Sequence, residues 1–208
     1  MMTEQNHAAE FLLSEGNGQI SREQGMLAIT ALALAAGTVL AQNTLGTVTT
    51  AAKGAGNTGN GALTMDATTP LLEGAKVGIY TVRCTVVAAN GGTFEVKDPD
   101  GYALGEVAVG ATFENDIKFS IADGAADFVV GDGFDITVAD GNGEYVPYVD
   151  ETAATLPACA VLYAPAAASE TAQRVVVIAR LAEVAAARLV GLTDTARASL
   201  ATKSISVR

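Results

Sequence analysis

The stretch GMLAITALALAAGTVLA, residues 25–41, contains no charged side chain, and the uncharged run continues through QNTLGTVTTAA to residue 52. Three readings compete for it: a membrane helix, a secretion signal, or part of a folded core. A membrane helix needs about 20 consecutive apolar residues. The strongest window here, residues 26–41, is 16 long, rich in Ala, Gly and Thr, and followed at once by Gln42, Asn43 and Thr44. Those side chains would leave polar groups inside a bilayer. TVLAQN carries the small residues of a cleavage site, but residues 1–25 hold four acids against one base. A secretion signal opens short and basic. The stretch is therefore expected to be a core segment, with no membrane partner.

The chain has 208 residues, enough for one domain or two small ones. Its apolar half is mostly Ala and Val, with no Trp and an aromatic share of 5%. Twenty-two glycines among frequent Val and Thr favour strands joined by tight turns. The net charge of −11 is uneven: residues 1–50 carry −3, residues 51–145 carry −9, and residues 146–208 carry +1. An acidic surface with no Lys/Arg cluster repels phosphate backbones, so nucleic acid is not an expected partner.

Outward from the opening stretch, residues 1–24 are polar except for Phe11, Leu12 and Leu13, and read as a mobile N-terminal arm. On the other side, AAKGAGNTGNGA (residues 51–62) has no large apolar residue and reads as a linker. From Gly74 the pattern has period two: in VGIYTVRCTV, Tyr80, Val82, Cys84 and Val86 form one apolar face. GTFEVKD, ALGEVAVG, IKFSIAD, DFVVGD and FDITVAD follow as short β-propensive segments, separated by NGG, DPDG, DG and GDG turns. Residues 63–145 thus read as a self-contained immunoglobulin-like sandwich. Beyond Tyr145, CAVLYAP and RVVVIAR read as strands, LAEVAAARL as a helix with Leu181, Val184, Ala185 and Leu189 on one face, LTDTARASLATK as a second helix starting at a Thr/Asp cap, and SISVR as a closing strand.

Groupings that carry chemistry are not evident. His7 stands in a polar tail, no Gly-rich loop with a Lys joins a strand to a helix, and Ser and Cys lack a positionable base. Cys84 and Cys159, 75 residues apart, read as buried free thiols rather than a disulfide framework. DPDGYALGE (residues 98–106) and DGNGE (residues 140–144) space oxygen ligands as calcium loops do, without the twelve-residue pattern or its terminal Glu. Asp-Gly turns explain them without a metal. No cofactor or metal is expected, and the chain does not read as an enzyme.

The two ends carry a resemblance. FLLSEGNGQISREQ (residues 11–24) with AAGTVLAQ (residues 35–42) looks like the start of the bacteriophage lambda-type head decoration proteins. CAVLYAP, then VVVIARLAEV, then a helix and a terminal ISVR, looks like the end of the same family. Arg180, Glu183 and Val184 match the family's Arg-x-x-Glu-Val helix start, and Val207 and Arg208 its terminal Val-Arg. LPACAVLY departs from the family's Ala-Ala-Gly before Ile-Leu-Tyr. The middle resembles the β-domain that many phage members carry as an insert.

The resemblance implies a mainly β fold with a small α component: a head-decoration-like core of the β-clip or β-tulip kind, formed by residues 25–50 and 146–208 and interrupted by a β-sandwich insert at 51–145. It implies a capsid cement protein on the outer surface of the virion head, trimeric on three-fold and quasi-three-fold sites, with the major capsid protein as partner. The arm, residues 1–24, would dock through Phe11, Leu12, Leu13, Ser14 and Glu15. The rival reading, from the sandwich alone, is a carbohydrate- or host-surface-binding module.

Overall fold

The computed structural model describes residues 6–17 and 20–208; residues 1–5, 18 and 19 of the expected arm lie outside them. The chain divides into two compact units, one comprising the chain up to Thr44 with Asn142–Arg208, the other Leu45–Gly141. In chain order, the first unit begins with strands β1 (Leu12–Glu15), β2 (Arg22–Leu27) and β3 (Val39–Gln42). The second holds β4 (Leu45–Ala52), β5 (Ala62–Met65), β6 (Gly78–Ala88), β7 (Gly91–Lys97), β8 (Ala103–Ala108), β9 (Thr112–Glu114), β10 (Lys118–Ala122) and β11 (Gly133–Asp140). The first then resumes with β12 (Tyr145–Pro147), β13 (Ala158–Leu162), β14 (Gln173–Ile178), β15 (Ala182–Val184), helix α1 (Asp194–Thr202) and β16 (Ile205–Val207). The protein is mainly β.

The first unit is built on a closed barrel in the order β12-β2-β14-β13-β3. Its strands alternate between two cores. Leu27, Leu40, Tyr145, Ala160, Leu162 and Val177 pack together as one, while Val39, Ala41, Ala158, Val161 and Ile178 join Phe11, Val184, Ala196, Leu200 and Ile205 in the other. Gly25 permits this closure: a Cβ there would lie 2.4 Å from Cε2 of the Tyr145 ring. Helix α1 starts where its sequence says, with Thr193 Oγ1 accepting the Ala196 N–H at 3.0 Å. Ala196 and Leu200, one turn apart, are its buried face.

LAEVAAARL is not a helix. Ala182 and Val184 are buried on either side of Glu183, and β15 runs between β1 and β16 in a three-stranded sheet, followed by a single 3-10 turn at Ala186–Arg188. Pairing on both edges outweighs the helix propensity of the alanines, a difference of only a few tenths of a kcal/mol per residue.

The second unit has two sheets, β4-β11-β6-β7-β8 and β5-β10-β9, sharing one core that includes Tyr80, Val82, Phe94, Phe119, Ile121, Phe128 and Ile136. Its boundaries differ from those read in the sequence. Leu45–Ala52 pairs with β11 from Leu45↔Asp140 to Ala52↔Phe134, so residues 45–50 lie in the second compact unit. DFVVGD is a loop, not a strand, and it buries Phe128 and Asp132.

The glycine-rich segment after β4 is a braced loop. Asn57 Oδ1 accepts the Gly133 N–H at 2.8 Å, and Asn60 Oδ1 accepts the Ala126 N–H at 2.9 Å. The Asp132 carboxylate accepts the N–H groups of Thr58, Gly59 and Val129 at 2.9–3.1 Å. Gly59 and Gly61 leave room for the Phe128 ring, which a Cβ at either position would meet at 2.5–2.7 Å. Close approach, not flexibility, explains these glycines.

Candidate docking surface

The N-terminal segment folds back on its own subunit. Phe11 is fully buried in the core that holds Val184, Leu200 and Ile205, and its carbonyl accepts the Ala185 N–H at 2.8 Å. β1 pairs antiparallel with β15. Ser21, fully buried, ties the segment at its end: its hydroxyl donates to Leu181 O at 2.7 Å and accepts the Gly16 N–H at 2.9 Å. Glu15 makes a two-point ion pair with Arg22 at 2.6 and 2.9 Å, and Arg22 lies over the Tyr163 ring. Glu10 pairs with Arg188 at 2.8 Å. The expectation of a mobile arm is corrected: one buried aromatic and a strand ladder outweigh the entropy of ordering a short polar segment.

The five residues expected to dock therefore separate. Phe11 and, in part, Leu12 face inward. Ser14 Oγ donates to Glu183 at 3.0 Å, and Glu15 is held by Arg22. Leu12 pairs with Val184 and Ser14 with Glu183, so Leu13 is the extra residue of a β-bulge. It points away from the ladder and is 57% exposed. Since β1 is an end strand of its sheet, Leu13 and the strand's open edge are what this segment offers to another protein.

The opening stretch also divides. Leu27 and residues 36–41 are buried, as a core segment should be, but residues 28–35 leave the barrel as a ridge. Isolated bridges Thr30↔Ser169 and Leu34↔Ala166 hold it, while Ile29 is 66% and Leu32 77% exposed. Sequence reading missed this ridge. The signal was present: AITALALAA has neither strict alternation nor a polar helical face, so some of its apolar residues had to face outward.

The acidic turn at Asp98 is filled by a cation of the chain. Lys76 Nζ lies 2.6 Å from Asp98 and 2.7 Å from Asp100, and Asp98 also accepts the N–H groups of Asp100 and Tyr102. The Lys76 hydrogen bond, opposed by burial and helped by those backbone donors, holds the Asp98 carboxyl below its ordinary value. Among the described residues, no three His, Cys, Asp or Glu side chains gather as a metal site. At one mouth of the barrel a hollow of about 250 Å³ is lined by Glu23, Gln42, Tyr145, Cys159, Arg180 and Lys203, among others. Burial pushes the Cys159 thiol up to about 11 and the Tyr145 phenol up to about 12, so both are protonated at neutral pH. Cys84 and Cys159 are free. No helix among the described residues is long and apolar enough to cross a membrane.

The barrel unit's distinctive features are an open strand edge, a bulged Leu13 and an exposed apolar ridge, surface of the kind that suits contact with other proteins. The sequence model of the bacteriophage lambda head decoration protein D family matches residues 1–206, and the chain belongs to that family. It is thereby a phage head decoration protein, associated with the capsid. Among curated proteins there is no match. Two crystal forms of Xanthomonas campestris FlgL are similar at 21% and 22% identity over 51% of this chain, each with a TM-score of 0.33. The match spans about a third of those FlgL chains, 34% and 33%, and is too loose to define a shared fold.

Proposed function

We propose that the chain is a capsid cement protein: three copies on the three-fold and quasi-three-fold sites of the expanded head, outside the shell, clamping neighbouring major capsid protein subunits. The family match over residues 1–206 carries this reading. The open edge of β1 supports a mode of attachment in which an extended coat segment adds a strand there and covers Leu13. Mixing the purified protein with undecorated expanded shells tests it directly, by counting copies bound per three-fold site. Leu13→Asp should leave thermal stability unchanged, because the side chain is solvated in the free protein. It should weaken shell attachment by about tenfold or more per arm, the loss of one buried Leu. Full occupancy by this variant would refute the attachment mode.

Leu45–Gly141 is read here as an insert not needed for cementing. Asn43 and Gly143, flanking the crossings, are hydrogen-bonded within the first unit: Asn43 N–H donates to Glu144 O and Gly143 N–H to Asn43 O, both at 2.9 Å. A two-residue Gly/Ser bridge from Thr44 to Asn142 should therefore close as a hairpin. The shortened protein is expected to melt cooperatively and to protect shells against heat as the full chain does. Shells that burst like bare ones would assign the clamping contacts to the insert. A second reading, that the insert meets a host surface, is favoured by Val86, Val87, Val129 and Val130, exposed together at the end of its sheet remote from the crossings.

A further inference from the structure

The ridge of residues 28–35 lies beside a hollow on the same unit. That hollow, about 600 Å³, is lined by Tyr163, Ala164, Pro165, Ala166, Val175 and Val176, among others, with Arg174 as its only charged residue. A second hollow of about 540 Å³ runs under the ridge, lined by Ile29, Thr30, Ala31, Ala168, Ser169 and Glu170, with Glu170 its only charge. Ridge and hollow are thus apolar, adjacent, and marked with opposite charges.

Those charges have no side-chain partner among the described residues. Arg22, Arg180, Arg188 and Arg208 each pair with a carboxylate, and Arg197 donates to Val207 O at 2.8 Å. Arg174 and Glu170 make neither kind of contact among the described residues.

We propose that this face is the contact between copies of the chain, the Ile29/Leu32 ridge of one copy seated in the Tyr163–Val176 hollow of the next, with Glu170 of one beside Arg174 of the other. The occupant is a second copy because the complement to each feature is on the chain itself. Most of the net charge of −11 lies in residues 51–145, which carry −9, and a contact through the other unit requires a patch that is neutral or self-complementary. This face is both. The inference rests on the reading of a multi-copy decoration protein and names the surface through which the copies meet.

Charge exchange tests it. Oligomeric state is measured by sedimentation across a concentration series, and by cross-linking of copies on decorated shells. Ile29→Asp and Leu32→Asp should each raise the dissociation constant between copies about tenfold or more, with an unchanged melting temperature at concentrations where the parent is itself dissociated, since both side chains are solvated in the free subunit. Arg174→Glu should weaken association by placing like charges together, and Arg174→Glu with Glu170→Arg in one chain should restore it. Restoration supports the face and excludes a folding defect. Variants that associate like the parent overturn it, leaving the cement reading intact. A parent that forms dimers lost in the variants supports the face and refutes the trimer. A parent that never associates, in solution or on shells, refutes both.

Discussion

Phe11→Ala is expected to destabilise the barrel unit by about 3–5 kcal/mol, the cost of removing a fully buried aromatic from a close-packed core. In a unit of this size that lowers the melting temperature by about 10 °C or more. The effect is large because Phe11 is a joint between three elements. Its ring packs with β15, α1 and β16, and its carbonyl holds the Ala185 N–H. Without the ring, β1 retains a four-residue ladder whose only other apolar anchor is the half-buried Leu12. Calorimetry of the free protein checks this. A variant with parental stability and lost shell binding would mean that Phe11 swings out to meet the coat, as the sequence alone suggested.

The second large effect belongs to Asp132. Its side chain is 1% exposed and accepts three backbone N–H groups from two loops, with Lys53 Nζ at 3.9 Å. Asp132→Ala leaves those donors unsatisfied in the interior, and at roughly 1 kcal/mol or more for each such group the second unit should lose about 3 kcal/mol. A pH dependence follows. Burial by itself would raise this carboxyl, but the N–H groups of Gly59, Thr58 and Val129 and the charge of Lys53 outweigh it, and the group lies below its ordinary value. Its folded pKa is therefore below the unfolded value of about 3.9. The stabilisation is present in full above that value and is lost as pH falls through the folded pKa. Denaturant melts that follow the second unit should show stability dropping with acid in the parent and a shallower drop in Asp132→Ala. Equal slopes would assign the acid sensitivity to other carboxylates.

Period-two segments were legible because both of their faces are set by local sequence. Tyr80, Val82 and Cys84 are buried as their alternation requires, and the Thr193 cap begins α1 where its hydroxyl can reach a backbone N–H. Where an element depends on a distant partner, sequence misled. Ala182, Glu183 and Val184 have the composition of a helix and become a strand because β1 and β16 are there to pair with. Leu45–Ala52 follows the uncharged run without a break, yet its hydrogen bonds go to β11, some ninety residues later. The segment expected to dock shows the same division. The sequence singles out five residues, but which of them face outward depends on a bulge and on a core assembled from residues 158–205.

By itself the sequence determined a mainly β chain, the acidic character of its middle, the cap of its helix and the family to which it belongs, because composition, period and motif are local properties. Only the tertiary structure decided that the arm is pinned, that the second unit begins at Leu45, and that an uncharged stretch gives its ends to the core and its centre to the surface. The physical reason is common to all three. A residue's burial is settled by what the rest of the chain brings against it, and Phe11, Thr50 and Leu32 look equally apolar or neutral in sequence while meeting a core, a strand edge and solvent in the fold.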